Sequence, residues 1–192
     1  MKYVPFIAEA LLNCSGGDLV FDQPVQRSLF PDYQALLLFA LRLHQATRLH
    51  FDLRFKILST LLSFVLLDDP SLDPDRPARL KLMYDHDPKG LTSERVIQAG
   101  MPGAGPTMPV DFGGFAPIIE EDPTYEMEFL RQVGQGDFRF MLHGLHLKGA
   151  WQIFHEEGLF WKFRKLEDEY ASTRKVLRLD RSAKTGKSLS DL

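Results

Sequence analysis

His50-Phe51-Asp52-Leu53-Arg54-Phe55 alternates polar and apolar side chains with a period of two, the pattern of a strand with one buried face. On such a strand Phe51, Leu53 and Phe55 pack with Leu49 on one side, while His50, Asp52 and Arg54 project together from the other. A helix would splay the same three polar side chains around its circumference. Working outward, residues 137–143 repeat the alternation, and further strands are predicted at 36–43, 61–67, 79–84, 146–155 and 159–166. Turn clusters fall between them, at 68–74, 85–90, 100–109 and 134–136. Helical spacing is confined to 3–12 and 124–132, the latter equally readable as a strand. Short strands punctuated by Gly and Pro predict a mainly β protein, a small closed or partly open β-barrel with a few short peripheral helices.

The chain has 192 residues, 44% hydrophobic and 26% charged, with a net charge of −3. That balance suits a domain with a real core and excludes both a disordered chain and a wholly basic nucleic-acid coat. A nucleic-acid partner would need a local basic patch. The apolar runs at 35–41 and 57–67 are too short or too interrupted to span a bilayer, and Pro5 and Glu9 break the stretch a signal peptide needs. Cys14 is the sole cysteine, so neither an intrachain disulfide nor a thiolate zinc site is available. A soluble intracellular monomer with no membrane partner is expected, cytoplasmic in a prokaryote or nuclear in a eukaryote. Three regions are expected: a segment at 1–35 packed on the barrel, the barrel at 36–172, and a mobile basic tail at 173–192.

An imidazole, a carboxylate and a guanidinium on one strand face combine the elements of a divalent-metal site and a phosphate clamp. His44 would close the ligand set with His50 and Asp52 if the chain bends between Gln45 and Arg48. Two imidazoles and a carboxylate leave coordination positions open, suiting Mn²⁺ or Zn²⁺ for hydrolysis or Fe²⁺ for oxygen chemistry. A lone His-x-Asp pair is more often ordinary polar surface. Here the apolar neighbours force the polar face into a barrel interior or a cleft, where such groups need partners.

The stretch His44-x-Ala46-x-Arg48-Leu49-His50-Phe51-Asp52-Leu53-Arg54 resembles the signature of the DNA ligase D 3′-phosphoesterase family. The likeness continues in order through Asp69-Pro70-Ser71-Leu72-Asp73-Pro74, Arg79-Leu80, Asp85-His86-Asp87-Pro88, Glu94-Arg95-Val96-Ile97 and Gly103-Ala104-Gly105. It ends with Leu142-His143-Gly144, Leu147-Lys148-Gly149-Ala150-Trp151 and Trp161-Lys162-Phe163. The resemblance implies a small β-barrel that uses Mn²⁺ to trim DNA 3′ ends, removing a terminal ribonucleoside and then the 3′-phosphate. It implies His44, His50 and Asp52 as metal ligands, Arg54 and Arg79 as phosphate grips, and His86 as a contact opposite the metal. DNA or RNA-tipped 3′ ends would be the substrates, and ligase and polymerase repair proteins of end joining the partners.

The sequence departs from that family at the clamp. Asp68 falls where the family has a lysine, Leu91 near its tyrosine, and Met101 in a loop that otherwise carries glutamate and tyrosine. Metal-dependent hydrolysis at 3′ ends is therefore set beside two alternatives. One is a catalytically impaired module that still binds metal and DNA ends. The other is an Fe²⁺/2-oxoglutarate-type oxygenase, which would need a distal histidine such as His143 at the metal. Lys162, Arg164 and Lys165, with Lys148 and Arg139, offer a basic rim for a DNA backbone, although solvated strand faces would look the same.

Overall fold

The computed structural model describes residues 37–57, 60–83, 90–118 and 125–192. Nine strands form one antiparallel sheet: β1 (Leu38–Gln45), β2 (Leu49–Ile57), β3 (Thr60–Leu66), β4 (Ala78–Met83), β5 (Arg95–Ile97), β6 (Gly105–Pro117), β7 (Asp137–His143), β8 (Lys148–Glu157) and β9 (Phe160–Lys165). Their order is β1-β2-β3-β4-β9-β8-β7-β6-β5, and β1 also pairs with β6. That last pairing closes eight strands into a barrel and leaves β5 appended to β6. The expected β-barrel is thus a closed one, and closure removes the exposed strand edges of an open sheet.

The alternation in β2 has the consequence its sequence dictates. Leu53 and Phe55 are fully buried and join Phe39, Leu41, Phe64, Phe138 and Phe140 in the barrel core. The ambiguous segment is a helix, α1 (Tyr125–Gln135), which sends Phe129 and Val133 into that core. Phe129 packs against Phe55, Phe115, Phe138 and Phe140 at centroid separations of 5.0–6.4 Å. Gln132 ties the helix to the barrel, donating to the Ile118 carbonyl and accepting from the Arg139 amide.

The turn expected at 100–109 is corrected: the second half of that stretch belongs to β6, the longest strand. Its prolines are accommodated where pairing is irregular or at the edge. Pro109 sits at the register shift opposite Leu41 and Arg42, and Pro106 faces the short outer strand β5.

One member of the basic rim is also corrected. Lys165 is fully buried, its Nζ donating to the Ala150 and Leu166 carbonyls and pairing with Asp168. Lys162 pairs with Glu156, and Arg164 donates to Gln152 while lying over the Phe154 ring. The C-terminal stretch makes tertiary contacts despite its polar composition. The Ser172 amide donates to the Leu72 carbonyl, Ala183 donates to Pro109, and Leu179 is buried in the core. The helix expected at 3–12 and the segment at 1–35 lie outside the described residues. Among the described residues, no helix is long and apolar enough to cross a membrane.

Candidate metal centre

The β1–β2 hairpin builds the centre by register. Gln45 pairs with Leu49 across the turn Ala46-Thr47-Arg48, which places His44 directly opposite His50 and Arg42 opposite Asp52. Even-numbered side chains of both strands then share the outer face of the barrel, while Leu41, Leu43, Leu53 and Phe55 fill its interior. The polar face therefore lies in a cleft outside the barrel, not in its lumen. A loop across the end of β6 covers part of it.

His44 and Asp52 are each only 6% exposed, and His50 is half-buried. His44 Nδ1 lies 3.6 Å from Asp52 Oδ2, and His50 Nε2 lies 3.4 Å from Asp52 Oδ1. The outer ring nitrogens meet backbone carbonyls, with His44 Nε2 at 2.8 Å from the Gly103 oxygen and His50 Nδ1 at 2.9 Å from the Arg48 oxygen. A carbonyl only accepts, so both of those nitrogens carry the hydrogen. In the neutral imidazoles the inner nitrogens then present lone pairs toward a carboxylate, an arrangement that calls for a positive charge between them. Burial alone would raise the Asp52 pKa, but the hydrogen bonds that His44 and His50 donate to it whenever their inner nitrogens carry a proton, together with the Arg54 charge, hold it well below the usual carboxylate range. The Asp52 carboxylate in turn holds the His50 pKa up, against the effect of burial.

One ligand atom from each of His44, His50 and Asp52 lies within 4.8 Å of the others. Ligands about 2.1 Å from a shared ion sit roughly 3.0–3.5 Å apart, and the two histidine–carboxylate spacings, each to a different Asp52 oxygen, fall at or just beyond that range. The donor set fits a divalent metal.

Arg54 joins this cluster, its Nη2 donating to Asp52 Oδ2 at 3.2 Å. Arg79 stands differently. Its Nε and Nη2 donate to the two Asp68 oxygens at 2.8 and 2.9 Å, and its backbone amide donates to the same carboxylate. Asp68 shares with His50 a recess of about 110 Å³, and through Asp68 the pair borders the rim of the centre. The Arg79 bonds bring the Asp68 pKa down to about 2. His86 lies outside the described residues. Leu91 is buried against Ala40 and Leu61, and Met101 is exposed on a turn.

Two contributors were not read from the sequence as parts of the centre. Gly103 supplies the carbonyl that orients His44, with φ +73°, and an added Cβ would stand 3.2 Å from the His44 ring. Only its Gly-Ala-Gly turn signal was visible. Arg42, buried beside Asp52 in the register, donates to the carbonyls of Gly90, Leu91 and Ser93 and to Thr107 Oγ1. It binds the covering loop to the same strand pair that carries the ligands. His143 does not join them. It pairs with Gly114, which pairs with Leu38, six residues and roughly 20 Å along β1 from His44.

A closed antiparallel barrel with two imidazoles and a carboxylate converging on its outer face defines the class of protein. Comparison with known proteins gives the family. The family described as DNA Ligase D 3′-phosphoesterase domain matches residues 42–155, and the chain belongs to it. The chain is also 30% identical over 131 residues to the multifunctional non-homologous end joining protein LigD of Pseudomonas aeruginosa. That alignment covers 68% of this chain but 15% of the relative's length.

Proposed function

We propose that this protein is a metal-dependent phosphoesterase acting on nucleic-acid 3′ ends, removing a terminal ribonucleoside or 3′-phosphate during DNA end processing. The observation that carries the reading is the pair of oriented imidazoles aimed at one buried carboxylate, on a domain of the 3′-phosphoesterase family. His44, His50 and Asp52 would hold the divalent cation, Mn²⁺ in the first instance and Zn²⁺ or another ion as alternatives. Bound there, the cation supplies positive charge for a phosphoryl oxygen and acidity for a nearby water. Arg54 offers a guanidinium beside the same carboxylate, where it neutralises charge that develops on the phosphoryl oxygens. Gly103 and Arg48 fix the ring orientations through their carbonyls. Ligase and polymerase repair proteins are the partners this role would call for.

The test is a primer–template ending in a 3′-ribonucleotide or a 3′-phosphate, incubated with the purified protein and Mn²⁺. A shortened strand or released phosphate is expected, with loss of product in His50→Ala. Equal activity in His50→Ala would remove the catalytic reading.

A second reading, a module that binds metal and DNA ends without hydrolysing them, is favoured by the Asp68–Arg79 pair. That pair takes one phosphate-gripping cation out of service. End binding in Mn²⁺ without product over long incubation would select it. His143, the distal ligand suggested for the oxygenase alternative, stands far from His44, which counts against that reading.

A further inference from the structure

An enzyme that works on a 3′ end must also hold the strand leading to it, and Lys162, Arg164 and Lys165 of the expected basic rim are engaged by internal partners. A different surface is available. A groove of about 700 Å³ runs between the β1–β2 hairpin, the loop after β3 and the C-terminal stretch 172–180. It shares Leu49, Phe51 and Asp69 with the recess that holds His50, so the groove adjoins that recess along β2.

The wall formed by the C-terminal stretch is fixed at both ends. The Ser172 amide donates to Leu72 and the Ala183 amide to Pro109, Leu179 is buried between them, and Ser182 and Thr185 both donate to Glu94. Between these anchors the chain presents Arg174, Lys175 and Arg178, all exposed, with Arg76 on the neighbouring loop. No side-chain hydrogen bond or ion pair engages these four cations among the described residues. The groove also contains Asp69, Asp73 and Asp180. Its cations therefore exceed its carboxylates, in a chain whose net charge is −3. Leu49, 57% exposed, and Val176, 83% exposed, add apolar surface beside the charges. Free cations alternating with apolar surface are the requirements of a single nucleic-acid strand, whose phosphates and bases need one each. The wall lies beyond residues 42–155 that match the family.

We propose that this groove is the binding track for the single strand ending at the centre, with Arg174, Lys175 and Arg178 on its phosphates. The proposal rests on the 3′-end reading above and deepens it by locating the strand.

The test measures fluorescence anisotropy of a labelled 12-nucleotide single strand on the full chain, over a series of salt concentrations. Changing Arg174, Lys175 and Arg178 together to Glu should raise Kd at least tenfold and lower the log–log salt slope by roughly two, at about 0.7 for each phosphate no longer neutralised. A control triple variant, with Glu at the exposed Lys81, Arg139 and Lys148, carries the same change in net charge and should retain affinity and slope. Equal weakening in both variants would reduce the effect to bulk charge and overturn the track. So would an unchanged groove variant, or a wild type that does not bind the strand. Hydrolysis of bis(p-nitrophenyl) phosphate with Mn²⁺, which needs no strand, is read separately on the wild type. Groove-dependent binding with no ester hydrolysis keeps the track and removes the catalytic reading. Hydrolysis with groove-independent binding does the reverse.

Discussion

His44, His50 and Asp52 stand on two paired strands, nearly out of water, with each imidazole turned by a backbone carbonyl. Beside His50, Asp68 lines the adjoining recess and pairs with Arg79, with the arginine side chain 60% and the aspartate 41% exposed, held chiefly by each other. In the first region geometry comes from register and main chain, so the donors remain converged without needing one another. In the second it comes from a side-chain pair that water and salt can compete for. The difference separates two properties of the centre. The converged donors are built into the barrel, while under the proposed function the grip on phosphate depends on which partner Arg79 chooses.

The largest effect should come from breaking the buried region. Asp52→Ala removes the one carboxylate that faces the two imidazoles among the described residues and should abolish Mn²⁺ binding and 3′-end activity together. In the wild type, Mn²⁺ at about 100 times its Kd should add roughly 2.7 kcal/mol of stability. The variant should show no Mn²⁺-dependent rise in Tm. A shift equal to the wild type's would place the cation elsewhere.

Arg42→Ala tests whether the framework behind the ligands is as firm as the register suggests. The substitution leaves two buried carbonyls, the partly buried Ser93 carbonyl and the Thr107 hydroxyl without this donor, a loss of roughly 3 kcal/mol. Urea unfolding should show it as a lower midpoint with little change in slope. A loss no larger than that from an exposed rim residue would erase the distinction between the two regions.

Asp68→Ala should act in the opposite direction, freeing Arg79 for a substrate phosphate. Turnover on a 3′-phosphate end should rise roughly threefold to tenfold, and Asp68→Lys should raise it further. A fall in turnover would mean that Asp68 positions Arg79 productively.

The same contrast explains what the sequence made legible. Period-two alternation announced β2 and its inward and outward faces, because burial selects side chains one by one along a strand. The convergence of His44 with that face depended on a bend that the sequence allowed but did not require. β6 was hidden because Pro106, Pro109, Gly113 and Gly114 carry turn signals, and only the pairing with β1 shows that a bulge and an edge absorb them. Lys165 was read as surface, although it continues the inward series Trp161, Phe163. A lysine is admitted there because two carbonyls and Asp168 satisfy it, and those partners come from the fold. The capture of Arg79 by Asp68 was unreadable for a similar reason. Sequence showed a reversed charge, and only tertiary placement shows which cation answers it.

Proton titration gives the smallest and most selective test of the rim. Asp68 has its pKa lowered from 3.8 to about 2 chiefly by the Arg79 hydrogen bonds. A carboxyl whose folded pKa is depressed contributes stability above its unfolded pKa and loses it as pH falls through the folded one. The stability difference between wild type and Asp68→Ala should therefore be constant from neutral pH down to about 4 and close between 3.8 and about 2. Because the pair is exposed, the difference should be small at any pH and shrink further in high salt. Urea unfolding of both proteins across that range reads it, and a carbon-13 titration of the Asp68 carboxyl assigns it. If the difference shows no dependence on pH across that range, Asp68 titrates as a free carboxyl. Arg79 would then already be available to a substrate, and the rim and the buried centre would no longer be opposites.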